Sequence, residues 1–409
     1  MHDILFVNAR IIDTEAGLAS DLVDVRISGG RIAEIGPKLD CPAATRIDAN
    51  GRFMLAGLID CHVHPFLADA NISRLAEVPP TLMSARAVRI LERMLQRGFT
   101  SVRDAAGADW GIRQAVEEGL IKGPRLFIAG RALSQTGGHG DFRSRTDDHD
   151  VCHCQHALAF TSRIADGIDD VRRAVREELR KGADQIKIMV SGGASSPHDP
   201  LERNQYSPSE ISVIVEEAER RGTYVMAHAY GADAIRVALE CGVRTIEHGN
   251  MIDQATAELA AAKGAYLVPT LTTYEVLAET ASESSWSEAM LAKLALVREA
   301  GLESIRICRA AGVKLGFGTD LLGDSFDEQS REFLIRSQVE SPAQILDSAT
   351  RVNAEIVGQV DQLGVIKSGA IADLLLLDRN PLEYLSVLQD QGEHIAVIVK
   401  DGAIIKNRL

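Results

Sequence analysis

Apolar and polar positions along the chain follow two rhythms. From the N-terminus to about residue 55 they alternate, as in "ILFVNARII", "DVRISGGRIAEIG" and "TRIDANGRFML", with Gly-Gly and Asn-Gly where the runs break. A period of two with such punctuation predicts short antiparallel strands joined by tight turns. The C-terminal end repeats the style in "ADLLLLD", "HIAVIVKDG" and "AIIKNRL", with a turn at Asp401-Gly402. Two β-rich ends flanking a different middle are expected to form one domain built from both termini.

The middle has another rhythm. Short, nearly continuous apolar runs are each followed by a stretch of helical period. The strand candidates are "MLAGLIDCH", "FTSVRDA", "RLFIAG", "QIKIMVS", "TYVMAHA", "TIEHG", "YLVPTL" and "KLGFGTD". Between them lie "SARAVRILERMLQRG", "IDDVRRAVREELRKG", "SPSEISVIVEEAERRG" and "ADAIRVALECG", several of which end in Gly. "SPSE" offers an N-cap Ser207, a Pro at the first helical position and Glu210 at the third, which is a capping box. Apolar strands alternating with amphipathic helices indicate parallel β/α units. Eight such units predict an α/β fold, a (β/α)₈ barrel, with a doubly wound open sheet as the alternative.

Composition narrows the class. A chain of 409 residues suits one large domain with a smaller companion. The net charge of −14 argues against nucleic acid or an anionic membrane as the main partner. No apolar run reaches 18 residues, and the start "MHDILFVNARIID" lacks a basic segment, so neither a transmembrane helix nor a signal peptide is expected. The six cysteines are scattered through a large chain, which fits a reducing compartment better than a disulfide scaffold. A cytoplasmic enzyme is the expectation.

The polar residues that carry chemistry fall at strand ends. His62 and His64 close the first run, Lys187 lies in the fourth, His228 and His248 end the fifth and sixth, and Asp320 ends the eighth. In a barrel these ends meet at one face. Residues i and i+2 of a strand share a side, so His62 and His64 can aim at one ion, while Val63 and Cys61 point away. Imidazole and carboxylate suit Zn²⁺, with Mn²⁺, Co²⁺ or Fe²⁺ as alternatives. Lys187 is a poor ligand as an ammonium, and a buried unpaired charge is costly. Reaction with CO₂ would convert it to an anionic carboxylate able to bridge two cations. A lone strand-end histidine is more often structural than a ligand; four histidines, a lysine and an aspartate in this arrangement are a metal site.

"GLIDCHVH", "IKIMVSGG", "MAHAY", "IEHGN" and "GFGTDLLG", with the late "GVIKSGAIADLLLLD", make the chain resemble the amidohydrolase superfamily of metal-dependent hydrolases along its whole length. The resemblance implies a barrel over residues 56–361 and a small β-sandwich from 1–55 plus 362–409. It also implies two divalent metal ions, most simply Zn²⁺. His62, His64 and Asp320 would hold the first ion, His228 and His248 the second, and a carboxylated Lys187 would bridge them. "SQTGGHGD", "SPHDP" and "RTIEHGNMID" resemble the binuclear Xaa-Pro and Xaa-Xaa dipeptidases and carboxypeptidase-like members. The ochratoxinases, amidases that release an aromatic amino acid from an N-acyl conjugate, look similar too. The implied substrate is a dipeptide or N-acyl amino acid, with a cyclic amide or a lactone as the alternative, and the implied assembly is a homo-oligomer. The resemblance further implies attack by hydroxide generated between the metals, with Asp320 shuttling the proton. His139 and Tyr230 are expected to contact substrate, one near the oxyanion and the other near the product carboxylate.

Other residues carry weaker signals. Arg143 and Arg203 are candidates for gripping a substrate carboxylate, and His198 is a further loop candidate. Asp104 either orients a ligand histidine or caps the next helix. His149, Cys152, His153, Cys154 and His156 crowd one long loop, but the Cys-x-Cys spacing departs from the usual zinc pattern; a lid or subunit contact is the simpler expectation. No G-x-S-x-G motif occurs, which disfavours a serine hydrolase.

Overall fold

The computed structural model describes residues 3–68, 78–143, 146, 161–196, 199–280 and 286–409. Both chain ends enter one eight-stranded sheet, in the order Ala403–Asn407, Ile395–Lys400, Leu374–Leu377, Phe53–Ala56, Ile4–Asp13, Leu18–Ser28 and Arg31–Gly36, with Thr45–Asp48 also paired to Ile4–Asp13. Phe53–Ala56 joins the two ends: it runs parallel to the first strand and antiparallel to Leu374–Leu377. The turn at Asp401-Gly402 has φ of 52° and 74°, the paired left-handed geometry of a two-residue hairpin. A cluster that includes Phe6, Val25, Ile32, Met54, Leu376 and Val399 is buried here, with residues from both ends.

The middle is an α/β assembly of TIM-barrel type. One sheet holds Leu58–Val63, Phe99–Asp104 and Arg125–Phe127. A second, of seven parallel strands, runs Ser162–Ile164, Ala132–Ser134, Ile186–Met189, Val225–Gly231, Thr245–Met251, Tyr266–Val268 and Lys314–Leu315. Backbone bonds join the sheets on both sides. Cys61 N donates to Phe317 O at 2.8 Å and Asp320 N to His62 O at 2.8 Å, while Asp184 N donates to Ile128 O at 2.7 Å. Apolar helix faces pack on the strands; Ile168–Arg180, for instance, buries Val171, Ala174, Val175 and Leu179 in one cluster with Ile186 and Ile188.

Local signals act as the sequence predicts at several points. Ser207 caps the helix Pro208–Arg220, and Glu210 returns the bond to the Ser207 N–H at 2.8 Å. Three strands differ from expectation, and of these "KLGFGTD" gives only Lys314–Leu315. "RLFIAG" gives only Arg125–Phe127, and pairing resumes at Ala132–Ser134 after Gly130, whose φ is 69°. "YLVPTL" gives only Tyr266–Val268, because Pro269 follows and Leu271–Thr280 is already helical; proline lacks the N–H a ladder requires.

Candidate active site

The strand ends converge as the spacing predicts. One opening is lined by His62, His64, Lys187, His228, His248 and Asp320, with His139 and Tyr230 beside them. Strand alternation sends Cys61 the other way, to Asn353 O at 3.8 Å, and Val63 into the core with Val102. His248 and Asp320 sit at φ of 70° and 53°. That left-handed backbone is costly for residues with a Cβ and is seen where structure over-determines it; here it falls inside the strand Thr245–Met251 at His248 and in the segment after Lys314–Leu315 at Asp320, both beside the same opening.

The donor chemistry around Asp320 calls for a cation. His64 Nδ1 lies 3.1 Å from Ala106 O, and a carbonyl can only accept, so Nδ1 carries the hydrogen. Neutral His64 then presents a lone pair at Nε2, which lies 3.2 Å from Asp320 Oδ1. His62 repeats the pattern: Nδ1 is 2.7 Å from Glu247 Oε2 and Nε2 is 3.4 Å from Asp320 Oδ1. Among the described residues, His62 Nε2 is buried without a hydrogen-bond partner. Two acceptors facing one carboxylate oxygen repel unless a proton or a metal ion lies between them. His62, His248 and Asp320 each offer a ligand atom, all within 4.8 Å of one another. These residues fit a divalent ion.

The remaining ligand candidates are set up in the same way. His228 Nε2 is 3.1 Å from Gly192 O, which leaves Nδ1 as its lone pair. His248 Nδ1 is 2.8 Å from Thr270 Oγ1. Burial pushes both histidines well below their ordinary range, at His248 against the pull of Asp320, so both are neutral and able to ligate. Their rings are 4.8 Å apart, as are those of His62 and His248. Lys187 is 1% exposed. Burial, only partly opposed by Glu247 and Asp320, lowers its ammonium to about 8, and among the described residues it makes no hydrogen bond. A lysine that loses its proton this easily is a competent nucleophile toward CO₂.

Asp320 is partly exposed. Burial would raise it, but a proton or positive charge shared with His62 and His64, the same requirement their facing atoms impose, outweighs burial and holds it well below the usual carboxylate range. Glu247 shows the same contest: burial raises it, and Arg103 and His62 bring it down to about 2. Both Glu247 oxygens accept from Arg103 Nη2 at 2.9 Å. An ionised Glu247 therefore fixes the His62 tautomer, the role outer carboxylates play behind metal-ligating histidines. The sequence reading missed Glu247; its only signal was an acidic residue inside the apolar run "TIEHG".

His139 and Tyr230 border the same opening. The His139 ring stacks on His228, with centroids 4.4 Å apart and planes 16° apart. Its Nδ1 is 3.0 Å from Asp199 Oδ2. Gly193 gives it room: a Cβ there would lie 1.9 Å from the ring. The loop is tied down by Lys293, whose Nζ donates to Gly193 O at 2.6 Å, Ser196 O at 2.5 Å and Asp199 O at 2.9 Å. Tyr230 stacks on His248 at 5.2 Å, and its hydroxyl lies 3.0 Å from that of Tyr274.

The secondary candidates separate. Arg143 is paired with Asp141 at 2.7 Å, and Arg203 is exposed and away from the opening. Asp104 bonds to no histidine among the described residues: its Oδ2 accepts from Ala108 N at 3.3 Å. The next helix, Trp110–Glu117, is capped by Asp109 instead. His198 and the cluster His149, Cys152, His153, Cys154 and His156 lie outside the described residues. No described helix is long and apolar enough to cross a membrane.

Comparison with known proteins gives a consistent set of relatives. A model described as the amidohydrolase family matches residues 53–404. The ochratoxinase of Aspergillus niger is 33% identical over 397 residues, spanning 93% of this chain and 82% of that protein. A solved prolidase, complexed with N-methylphosphonate-L-proline, is 49% identical, with a TM-score of 0.97 over 99% of this chain and 100% of that one. A Xaa-Pro dipeptidase with bound methionine in its active site is 29% identical, with a TM-score of 0.89 over 99% of this chain and 100% of that one.

Proposed function

The chain belongs to the amidohydrolase family, hydrolases that act on amide bonds, and from that premise we propose that it cleaves the amide of a dipeptide or N-acyl amino acid at a binuclear metal site. The observation that carries this reading is the pair of imidazole lone pairs facing Asp320 Oδ1 at 3.2 and 3.4 Å, an arrangement that calls for a cation. His62, His64 and Asp320 would hold one ion, His228 Nδ1 and His248 Nε2 the other, and Lys187, as its carboxylated form, both. Divalent ions so held, most simply Zn²⁺, would supply Lewis acidity, acidifying water and polarising a carbonyl.

The chain's own residues do the rest. Asp320, ionised and within reach of the reacting atoms, accepts the proton of the attacking water and delivers it to the departing amine. Tyr230 donates its hydroxyl hydrogen to the carbonyl oxygen as negative charge develops there. His139, oriented by Asp199, holds the carboxylate of the leaving amino acid. The neutral hydroxyls of Ser195 and Thr273, which line the opening, support hydrogen-bonded recognition of that carboxylate rather than an arginine clamp. Residues 56–361 would form the catalytic barrel, with 1–55 and 362–409 as a sandwich-like companion domain. A soluble cytoplasmic homo-oligomer completes the proposal.

The prolidase and dipeptidase relatives support a dipeptide, and the ochratoxinase supports a conjugate of an aromatic amino acid. The test is a screen of zinc- and bicarbonate-loaded enzyme against L-Xaa-L-Pro and other dipeptides, N-acyl amino acids including ochratoxin, and a panel of cyclic amides and lactones. Hydrolysis of the linear amides is expected. Turnover confined to cyclic amides or lactones would overturn the substrate assignment.

A further inference from the structure

Tyr274 takes no part in the mechanism above, yet its hydroxyl is the centre of a buried network. It lies 3.0 Å from Tyr230 OH, 3.4 Å from Thr270 Oγ1 and 3.4 Å from Asn250 Oδ1. Tyr274 is 2% exposed, Tyr230 3% and Thr270 0%. Thr270 Oγ1 is in turn 2.8 Å from His248 Nδ1. Every hydroxyl in this chain has one hydrogen to give and lone pairs to receive. The position of one hydrogen therefore sets the next.

We propose that Tyr274 is a positioning residue whose hydroxyl aims the Tyr230 hydrogen at the substrate, through a one-way chain running from His248 via Thr270 and Tyr274 to Tyr230. The inference rests on the reading of Tyr230 as an oxyanion donor. The direction follows from bookkeeping of hydrogens. A His248 that ligates through Nε2 carries its hydrogen on Nδ1 and donates it to Thr270 Oγ1. Thr270 is then satisfied as an acceptor and turns its own hydrogen toward Tyr274. Tyr274, receiving from Thr270, gives its hydrogen to Tyr230 across the shortest contact of the network. Tyr230 now accepts, so its hydrogen is left for the opening. No proton changes owner; each O–H only rotates.

Asn250 supplies the opposite setting. Its Nδ2 donates to Val297 O at 2.7 Å, which fixes the amide so that Oδ1, an acceptor only, faces Tyr274. With the Tyr274 hydrogen turned to Asn250, Tyr230 donates to Tyr274 and offers the substrate no hydrogen. The two settings differ by the rotation of two hydroxyls, and negative charge on the substrate oxygen selects the one in which Tyr230 faces it. The charge develops only as the carbonyl becomes tetrahedral, so the device favours the transition state over the bound ground state.

The test compares a tetrahedral ligand with a product. N-methylphosphonate-L-proline carries a charged tetrahedral centre, and L-proline lacks one. Affinities of both for metal-loaded wild type, Tyr274→Phe, Tyr230→Phe and the double variant are measured by calorimetry, with bound metal and melting temperature checked for each. Losing an oxyanion donor costs roughly 100-fold, and misaiming it should cost about tenfold. Tyr274→Phe should therefore weaken the phosphonate about tenfold, leave L-proline within about twofold, and add nothing once Tyr230 is Phe. Should Tyr274→Phe melt early, Thr270→Val tests the preceding link, with Thr270→Ser expected to behave as wild type. Independent, multiplying losses in the double variant, or an unchanged phosphonate affinity in Tyr274→Phe, would overturn the relay. Tyr230→Phe binding the phosphonate as wild type does, or wild type failing to bind it, would overturn the underlying reading of the site and the relay with it.

Discussion

Asp199 and His139 meet through Oδ2 and Nδ1 at 3.0 Å, and that contact holds the imidazole flat against His228. Burial would raise the Asp199 carboxyl, but His139 outweighs it and holds the group down to about 2. Asp199 is thus a fixed negative charge whose other anchor is the loop that Lys293 ties together. Replacing Asp199 with Ala should free the ring to swing off His228 without disturbing the metal ligands. Misplacing a substrate-orienting group by about 1 Å costs up to roughly 100-fold, so kcat/KM should fall tenfold to 100-fold at unchanged metal content. Lys293→Met should lose activity in the same direction but less. Steady-state kinetics with elemental analysis would check both; unaltered kcat/KM in Asp199→Ala would remove His139 from substrate contact.

Lys187 is the side chain whose chemistry is least compatible with a plain structural role. It is buried in the strand Ile186–Met189, its ammonium lowered by burial to about 8, with Glu247 and Asp320 the main charges opposing that shift. Lys187→Ala should drop bound metal from two ions per chain toward one or none. A short-chain carboxylic acid added to the variant should restore part of the metal and of the activity, because it can occupy the space of the missing carboxylate. Full metal content in the untreated variant would exclude a bridging role.

Asp320→Asn separates proton transfer from metal binding. The amide keeps an oxygen for coordination but gives up the negative charge that a cation between Asp320 and its histidines would stabilise. Removing a general base or acid typically costs about 10²–10⁴ in rate. We expect a loss of that size in kcat with KM and at least one ion retained. Near-normal turnover by the variant would reassign the proton shuttle.

The ligands were legible because their geometry is local. His62 and His64 share a strand face, and His228, His248 and Asp320 each end a run whose apolar pattern marks it as a buried strand. The residues that hold them in place were not legible. Arg103 and Glu247 are separated by 144 positions and meet only because their strands face one another across the barrel. Lys293 reaches a loop 94 positions earlier in the chain from the helix Glu288–Ala311, where no motif marks it. Such pairs depend on strand register and helix placement, which periodicity does not encode. The left-handed backbone at His248 and Asp320 was equally hidden, since neither position bears the glycine that usually announces it. The end sheet followed the same division: its strands were readable from alternation, whereas the seam between Phe53–Ala56 and Leu374–Leu377 needed the three-dimensional pairing.

Glu332 offers a pH test away from the ligands. It is fully buried, its Oε2 accepts from Thr272 N at 2.7 Å, and among the described residues its Oε1 has no hydrogen-bond partner. Burial, only partly offset by Arg336, raises the carboxyl to about 8. In the folded chain Glu332 therefore keeps its proton through neutral pH, whereas in the unfolded chain it loses it near the ordinary glutamate value. The folded state binds the extra proton, so the contribution to stability is full below the unfolded value and is lost as pH rises through about 8. Glu332→Gln keeps an oxygen for Thr272 and has no proton to lose. The variant should melt close to wild type at pH 5 and on the order of a few °C higher at pH 9, because wild type alone must there bury an ionised carboxylate. Melting curves of both proteins across pH 5 to 9 measure the difference directly; a gap that stays constant over that range would mean that Glu332 is already ionised in the folded protein.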